Sequence, residues 1–281
     1  MLSYRHIYHA GNFADVFKHV VLVQLLRALQ RKDAPLFALD THAGIGRYDL
    51  AADEALKNRE FAAGVQRVFA CADPPAAVAD YLALVRAENA EDDALRHYPG
   101  SPRLLRALLR PQDRLALTEL HPADFAALKA CFAGDRQVAV HKQDAYQGLK
   151  AFLPPRERRG LVLIDPPYEL KDEYARVAAG LQAAHARWPT GVYAVWYPIL
   201  SRSLVTRFHD AVAATGIRRI LCAELRIGAD TGRSAFVGSG LLIVNPPWPL
   251  QDELTRPLRW LRHCLDPEAR GGERLDWLVP E

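Results

Sequence analysis

The chain is 281 residues long, half of them apolar and a quarter charged, with a formal net charge of +3. That balance fits a globular chain with a substantial core. It excludes collagen-like, disordered and strongly basic compositions, so any polyanion site must come from local clustering of arginines. Four cysteines (Cys71, Cys131, Cys222, Cys264) stand far apart in no paired motif. Neither a zinc site nor a disulfide framework is therefore expected, and a reducing, cytoplasmic setting is.

At the amino end, HAGNFADVFKHVVLVQLLRALQRKD predicts a helix. Asn12 can cap it, Asp15 sits where the helix dipole favours an acid, and Phe13, Val16, Phe17, Val20, Val21 and Leu25 recur near helical spacing. Its VVLVQLL is the longest apolar run, too short to span a membrane, and no signal-peptide pattern precedes it. His6, His9 and His19 do not make an HExxH pattern, so no metal site is expected.

The first strand falls in PLFALDT (35–41), ends in Asp40 and opens into closely spaced Gly44 and Gly46. Such glycines let backbone approach a nucleotide-like ligand. The third glycine of a dinucleotide fingerprint is missing, Asp49 standing in its place, which disfavours a nicotinamide dehydrogenase. Residues 50–98, rich in alanine and charge, carry no convincing strand and read as a helical insertion within a single domain, 1–281.

Six more runs read as strands: RLALTEL (114–120), QVAVHKQD (137–144), GLVLID (160–165), GVYAVWYP (191–198), RILCAELRI (219–227) and SGLLIVN (239–245). Most are near-continuous apolar runs, as strands buried on both faces of a parallel sheet are. With helix-like segments between them, they predict an α/β, doubly wound, mostly parallel seven-stranded sheet. Ligands then sit beyond the carboxyl ends of the strands. Glu119 ends the second strand and would hold ribose hydroxyls, once the insertion explains its distance from the glycines. Asp144 ends the third and could accept from an adenine amino group; for both acids, helix capping or loop solvation is the competing reading.

The fourth strand runs into Asp165-Pro166-Pro167-Tyr168. An exocyclic amine on a base is a poor nucleophile because its lone pair is delocalised. If Asp165 and a carbonyl of the Pro166-Pro167 turn each accept one N–H, the lone pair is freed toward a methyl donor, and Asp165 stabilises the developing positive charge. The prolines fix the acceptors and Tyr168 stacks on the base. A second copy, Asn245-Pro246-Pro247-Trp248, ends the seventh, antiparallel strand and reads as structural.

DPPY after a glycine loop and acids on strands two and three resembles the class I S-adenosylmethionine-dependent amino-methyltransferases. In order, MLSYRHIYHAGNFADVFKH, LDTHAGIGRY, YPGSP, LTELHP, LIDPPYE, YAVWYP and NPPW are similar to the bacterial RlmJ family across almost the whole chain. That family methylates N6 of one adenine in 23S ribosomal RNA. The resemblance implies S-adenosyl-L-methionine contacts from His19, His42, Ser101, Glu119 and Asp144, with Asp165 at the reaction centre. Ala145 departs from a frequent family glycine, which puts a tight approach or a positive φ in doubt there but not a backbone N–H contact. The resemblance also implies that the tail, residues 1–11, faces substrate: Tyr4 to stack on a base, Arg5 or His6 to meet phosphate or base edges.

Lys18, Arg5, Arg47, Arg202, Arg207, Arg218, Arg219 and Arg233 are candidate phosphate contacts. The expected partner is 23S rRNA, single-stranded or flipped at the target and early in assembly; no membrane, metal or second subunit is expected. A DNA adenine methyltransferase shares the turn but lacks an evident base-reading element here. A protein glutamine methyltransferase carries Asn in place of Asp165, and a non-catalytic RNA-binding relic would have lost the acids.

Overall fold

The computed structural model describes residues 4–92, 94–170, 172–229 and 236–281. Its main sheet has β1 (Phe37–Asp40), β2 (Arg114–Glu119), β3 (Val138–Lys142), β4 (Gly160–Ile164), β5 (Val192–Ile199), β6 (Ile220–Arg226), β7 (Gly238–Val244) and β8 (Gly272–Val279). They lie in the order β3-β2-β1-β4-β5-β7-β6-β8. Pairing is parallel from β3 through β5, while β7 is antiparallel to both β5 and β6. The carboxyl ends of β1, β2, β3, β4 and β5 therefore share one edge.

Among the described residues the sheet has eight strands rather than the seven expected. The eighth, GERLDWLV, pairs antiparallel with β6 at an open edge. It was missed because its charged residues and half-exposed faces lack the apolar run that marks strands covered on both sides.

Helix α1 (Phe13–Gln30) is buried nearly all round, as a helix inside the core must be. The Asn12 side chain accepts from the Asp15 amide at 2.9 Å, so the expected cap is present. Burying a residue such as Phe17, 0% exposed, contributes roughly 1.5–3 kcal/mol. The helices α2 (Asp53–Asn58), α3 (Glu60–Ala63), α4 (Val65–Ala70) and α5 (Ala76–Glu88) occupy the segment between two short paired strands, Arg47–Asp49 and His97–Pro99. Their buried side chains, Val65, Val78, Tyr81 and Val85 among them, belong to the same apolar cluster as α1.

That cluster also takes in residues of α6 (Ser101–Leu108), α7 (Pro122–Cys131) and α11 (Leu250–Leu265). The opposite face of the sheet is covered from α8 (Ala145–Phe152), α9 (Glu173–Arg187) and α10 (Arg202–Ala213). This is the doubly wound arrangement expected.

The expectation of no disulfide is overturned. Cys71, after α4, and Cys264, in α11, form one across 193 residues of sequence, with Cα atoms 6.4 Å apart. Spacing along the chain carried no sign of it because only tertiary packing of α4 on α11 brings them together. No helix among the described residues is long and apolar enough to cross a membrane.

Candidate active site

A cavity of about 500 Å³ opens at the shared strand edge. Its lining includes Tyr4, His6, Lys18, His19, His42, Gly44, Ser101, Glu119, Asp144, Ala145, Asp165, Pro166, Pro167 and Tyr168, but not Gly46 or Arg5. Two groups form within it.

The first group surrounds the glycine loop. Gly44 has φ +62°, and a Cβ there would lie 2.4 Å from the Tyr48 hydroxyl. Its amide donates to Glu119 Oε2 at 2.9 Å, and His121 donates its amide to Oε1 at 2.7 Å. Burial raises the Glu119 carboxyl above its ordinary value despite these bonds. Asp144 is both cap and lining residue: its Oδ1 accepts from the amides of Tyr146 and Gln147 at the start of α8. Ala145 opens that helix and is not among the positive-φ residues, so alanine carries no backbone strain there.

Ser101 is the first residue of α6, and Asp40 accepts the His42 amide on Oδ1 at 3.3 Å. Asp40 is fully buried, its Oδ2 has no partner within the chain, and burial pushes its carboxyl up to about 7. His19 is 1% exposed; Nδ1 lies 2.8 Å from the Tyr98 hydroxyl, while Nε2 is buried without a partner. Burial first, and then the Lys18 charge, push its imidazole down to about 3. An unpaired buried nitrogen is costly unless something meets it.

The second group surrounds Asp165, at the end of β4. Its amide donates to His42 Nδ1 at 3.3 Å. Burial, and secondarily Arg176, push the His42 imidazole down to about 3, leaving it neutral to accept that bond. Lys18 Nζ donates to Asp165 Oδ2 at 2.7 Å and stands 2.9 Å from Asp15 Oδ1. Burial opposes that ammonium, yet the two carboxylates raise it above the ordinary lysine value. Tyr168, at φ +51°, donates its hydroxyl to the Trp196 carbonyl at 2.8 Å and packs its ring 4.6 Å from that of Tyr174. Tyr4 Oη lies 2.7 Å from His6 Nδ1, and its ring stacks on His9 at 5.6 Å.

Among the lining residues that sequence reasoning did not place in the site are Asp15, Asp124, Arg176 and Trp196. Trp196 had a usable signal, since it lies near the end of the strand beside β4. Of the arginine candidates, Arg233 lies outside the described residues. Arg5, Arg47 and Arg219 are engaged with Asp124, Glu88 and Glu281. Among the described candidates only Lys18 lines the cavity.

The second turn lies at the other end of the sheet. Asn245 ends antiparallel β7, and its side-chain amide donates to the carbonyls of Pro189 and Gly191. Away from the cavity, His209, Cys222 and Glu224 bring metal-ligand-type atoms within 4.8 Å of one another. The Tyr197 hydroxyl already stands among them, donating to Glu224 at 2.8 Å and lying 2.9 Å from His209 Nε2.

The strand order and a cavity built from strand-end acids, a glycine loop and a proline-stiffened turn define an α/β methyltransferase-like protein. The family described as "Ribosomal RNA large subunit methyltransferase D, RlmJ" matches residues 33–279. The chain belongs to that family. It is 45% identical, over the whole of both chains, to Ribosomal RNA large subunit methyltransferase J of Escherichia coli (strain K12). Its identity to the protein of the same name from Haemophilus influenzae is 44%, again over the whole of both chains. A crystal structure of a Legionella pneumophila protein is similar with a TM-score of 0.88 and 34% identity, covering 96% of this chain and 98% of that one.

Proposed function

We propose that the protein transfers one methyl group from S-adenosyl-L-methionine to the exocyclic N6 of a specific adenine in 23S ribosomal RNA, in the cytoplasm, on naked or early-assembly RNA. The relatives' names support the ribosomal RNA substrate. One observation carries the chemistry: Asp165, on a turn of two prolines at the end of β4, faces the same cavity as the glycine loop and the acids ending β2 and β3.

The residues present fit the cofactor. Its adenosine needs acceptors for ribose hydroxyls and an adenine amine, which Glu119 and Asp144 supply beside the Gly44 amide. Its amino-acid end needs polar partners, and His19, with an unpaired buried nitrogen, supplies one beside His42 and Ser101. When bound, the cofactor supplies a methyl group already activated on sulfonium.

The protein's own part is orientation and charge. Asp165 accepts one N–H of the adenine amine, and a carbonyl of the Pro166-Pro167 turn accepts the other. Fixing both acceptors in advance removes ordering cost from the reactive complex. The Asp165 carboxylate stabilises positive charge developing on the amine and accepts its proton. Tyr168, anchored on the Trp196 carbonyl, gives the base a flat wall, and Tyr4 closes the site from the tail. Duplex stacking hides the amine, so the adenine enters unpaired or flipped.

The test is labelled-methyl transfer to protein-free 23S RNA, with the modified nucleoside identified by mass. N6-methyladenosine is expected. Selective methylation of assembled large subunits over free RNA would overturn the early-assembly part, and methylated DNA or peptide in place of RNA would overturn the substrate.

A further inference from the structure

One run of hydrogen bonds joins the amino-terminal segment to the carboxylate at the end of β4. Tyr4 Oη meets His6 Nδ1 at 2.7 Å, and His6 Nε2 meets Asp15 Oδ2 at 2.8 Å. Lys18 Nζ meets Asp15 Oδ1 at 2.9 Å and Asp165 Oδ2 at 2.7 Å. Asp15 is the hub, because its Oδ2 also accepts the Gly11 amide at 2.9 Å. Starting α1 does not call for this: the cap is made by Asn12, and an acid placed for the helix dipole needs neither full burial nor a lysine partner to act. Asp15 is instead 2% exposed and Lys18 4% exposed.

Charges buried this deeply persist only when paired, and removing one partner strands the other. If Asp165 were the sole counterion of Lys18, an amine seeking Asp165 would have to compete with a buried ammonium and leave it unpaired. Asp15 removes that conflict, since Lys18 keeps a carboxylate while Asp165 turns to substrate.

We propose that Asp15 is a positioning residue for methyl transfer: a second counterion that holds Lys18, so that Asp165 can exchange the ammonium for the target amine. This rests on the amine-methylation reading above. Asp15 touches no reacting atom; it acts through Lys18.

The test compares wild type, Asp15→Asn, Lys18→Met and the double variant in labelled-methyl transfer to 23S RNA. S-adenosyl-L-methionine affinity by calorimetry reports whether each variant is folded. Loss of one charge-assisted contact predicts that Asp15→Asn lowers kcat ~10-fold or more while cofactor affinity is kept. In the Lys18→Met background the same change should cost nothing further, because no ammonium remains to hold. Asp15→Glu, which keeps the charge, should recover part of the rate. Full activity of Asp15→Asn overturns the proposal, and so does an equal loss in both backgrounds, the mark of a carboxylate with a purely structural role. Wild type that binds cofactor yet leaves RNA unmethylated would instead sink the reading beneath it, and the proposal with it.

Discussion

The Gly44 amide and the Glu119 carboxylate, 75 residues apart in sequence, meet at 2.9 Å across the ends of adjacent strands. A single acid thus fixes the glycine loop and offers charge to the cavity. Glu119→Ala removes both roles. Cofactor affinity should fall by roughly 1.5–3 kcal/mol, the range of a charge-assisted hydrogen bond. Calorimetry showing unchanged affinity would take Glu119 out of the site.

Asp165→Ala should abolish methyl transfer. The Lys18 ammonium loses one of its two carboxylates but keeps Asp15 at 2.9 Å, so the fold should survive. Cofactor affinity measured beside activity separates a broken reaction from a broken protein. Near-normal turnover would refute the amine-activation mechanism.

Gly44→Ala places a methyl group 2.4 Å from the Tyr48 hydroxyl at a φ of +62°. Left-handed backbone costs a residue with Cβ about 1–2 kcal/mol even without a clash. Cofactor affinity should drop further than in Glu119→Ala, since the loop itself must move. Gly134→Ala, also at positive φ but with open space around its Cβ, serves as the control and should retain binding.

Acid stability should reveal two opposed buried groups. His19 is held at about 3 in the folded chain against an ordinary 6.5. Its contribution is full above 6.5 and is lost as pH falls toward 3, by up to ~1.4 kcal/mol per pH unit. Asp40, raised from 3.8 to about 7, runs the other way: its contribution is full below 3.8 and is lost as pH rises toward 7. His19→Gln leaves the Asp40 effect uncompensated. The stability gap between wild type and variant should narrow between pH 6.5 and pH 4.5 in urea unfolding, and a gap independent of pH would refute the assignment.

Much of this site was legible because a parallel sheet turns position along the chain into position in space. Asp40, Glu119, Asp144 and Asp165 each end or closely follow a strand, and such ends converge. What escaped was convergence between unlike elements. Asp15 read as a dipole partner because its sequence neighbours explain it, whereas Lys18 and Asp165 give it a second setting. Tyr168 was expected to stack on a base; what the sequence did not show is that its hydroxyl is anchored on the Trp196 carbonyl, 28 residues on in the next strand. The eighth strand and the Cys71–Cys264 pair escaped for related reasons, one lying half exposed at an edge and the other made only by helix packing.

The chain of rings from Tyr81 through Tyr98 to His19, with contacts of 3.0 and 2.8 Å, has a consequence for how such a protein can be shortened. The helices between Asp49 and His97 look removable, because two short paired strands would still close the gap. Cutting them out would delete Tyr81 and leave the buried Tyr98 phenol to satisfy itself on His19 alone. The price would appear in the pocket rather than at the cut, as an imidazole free to turn. A minimal version of this enzyme, whether made by evolution or in the laboratory, therefore has to redesign α1 before it can discard the helices that lean on it.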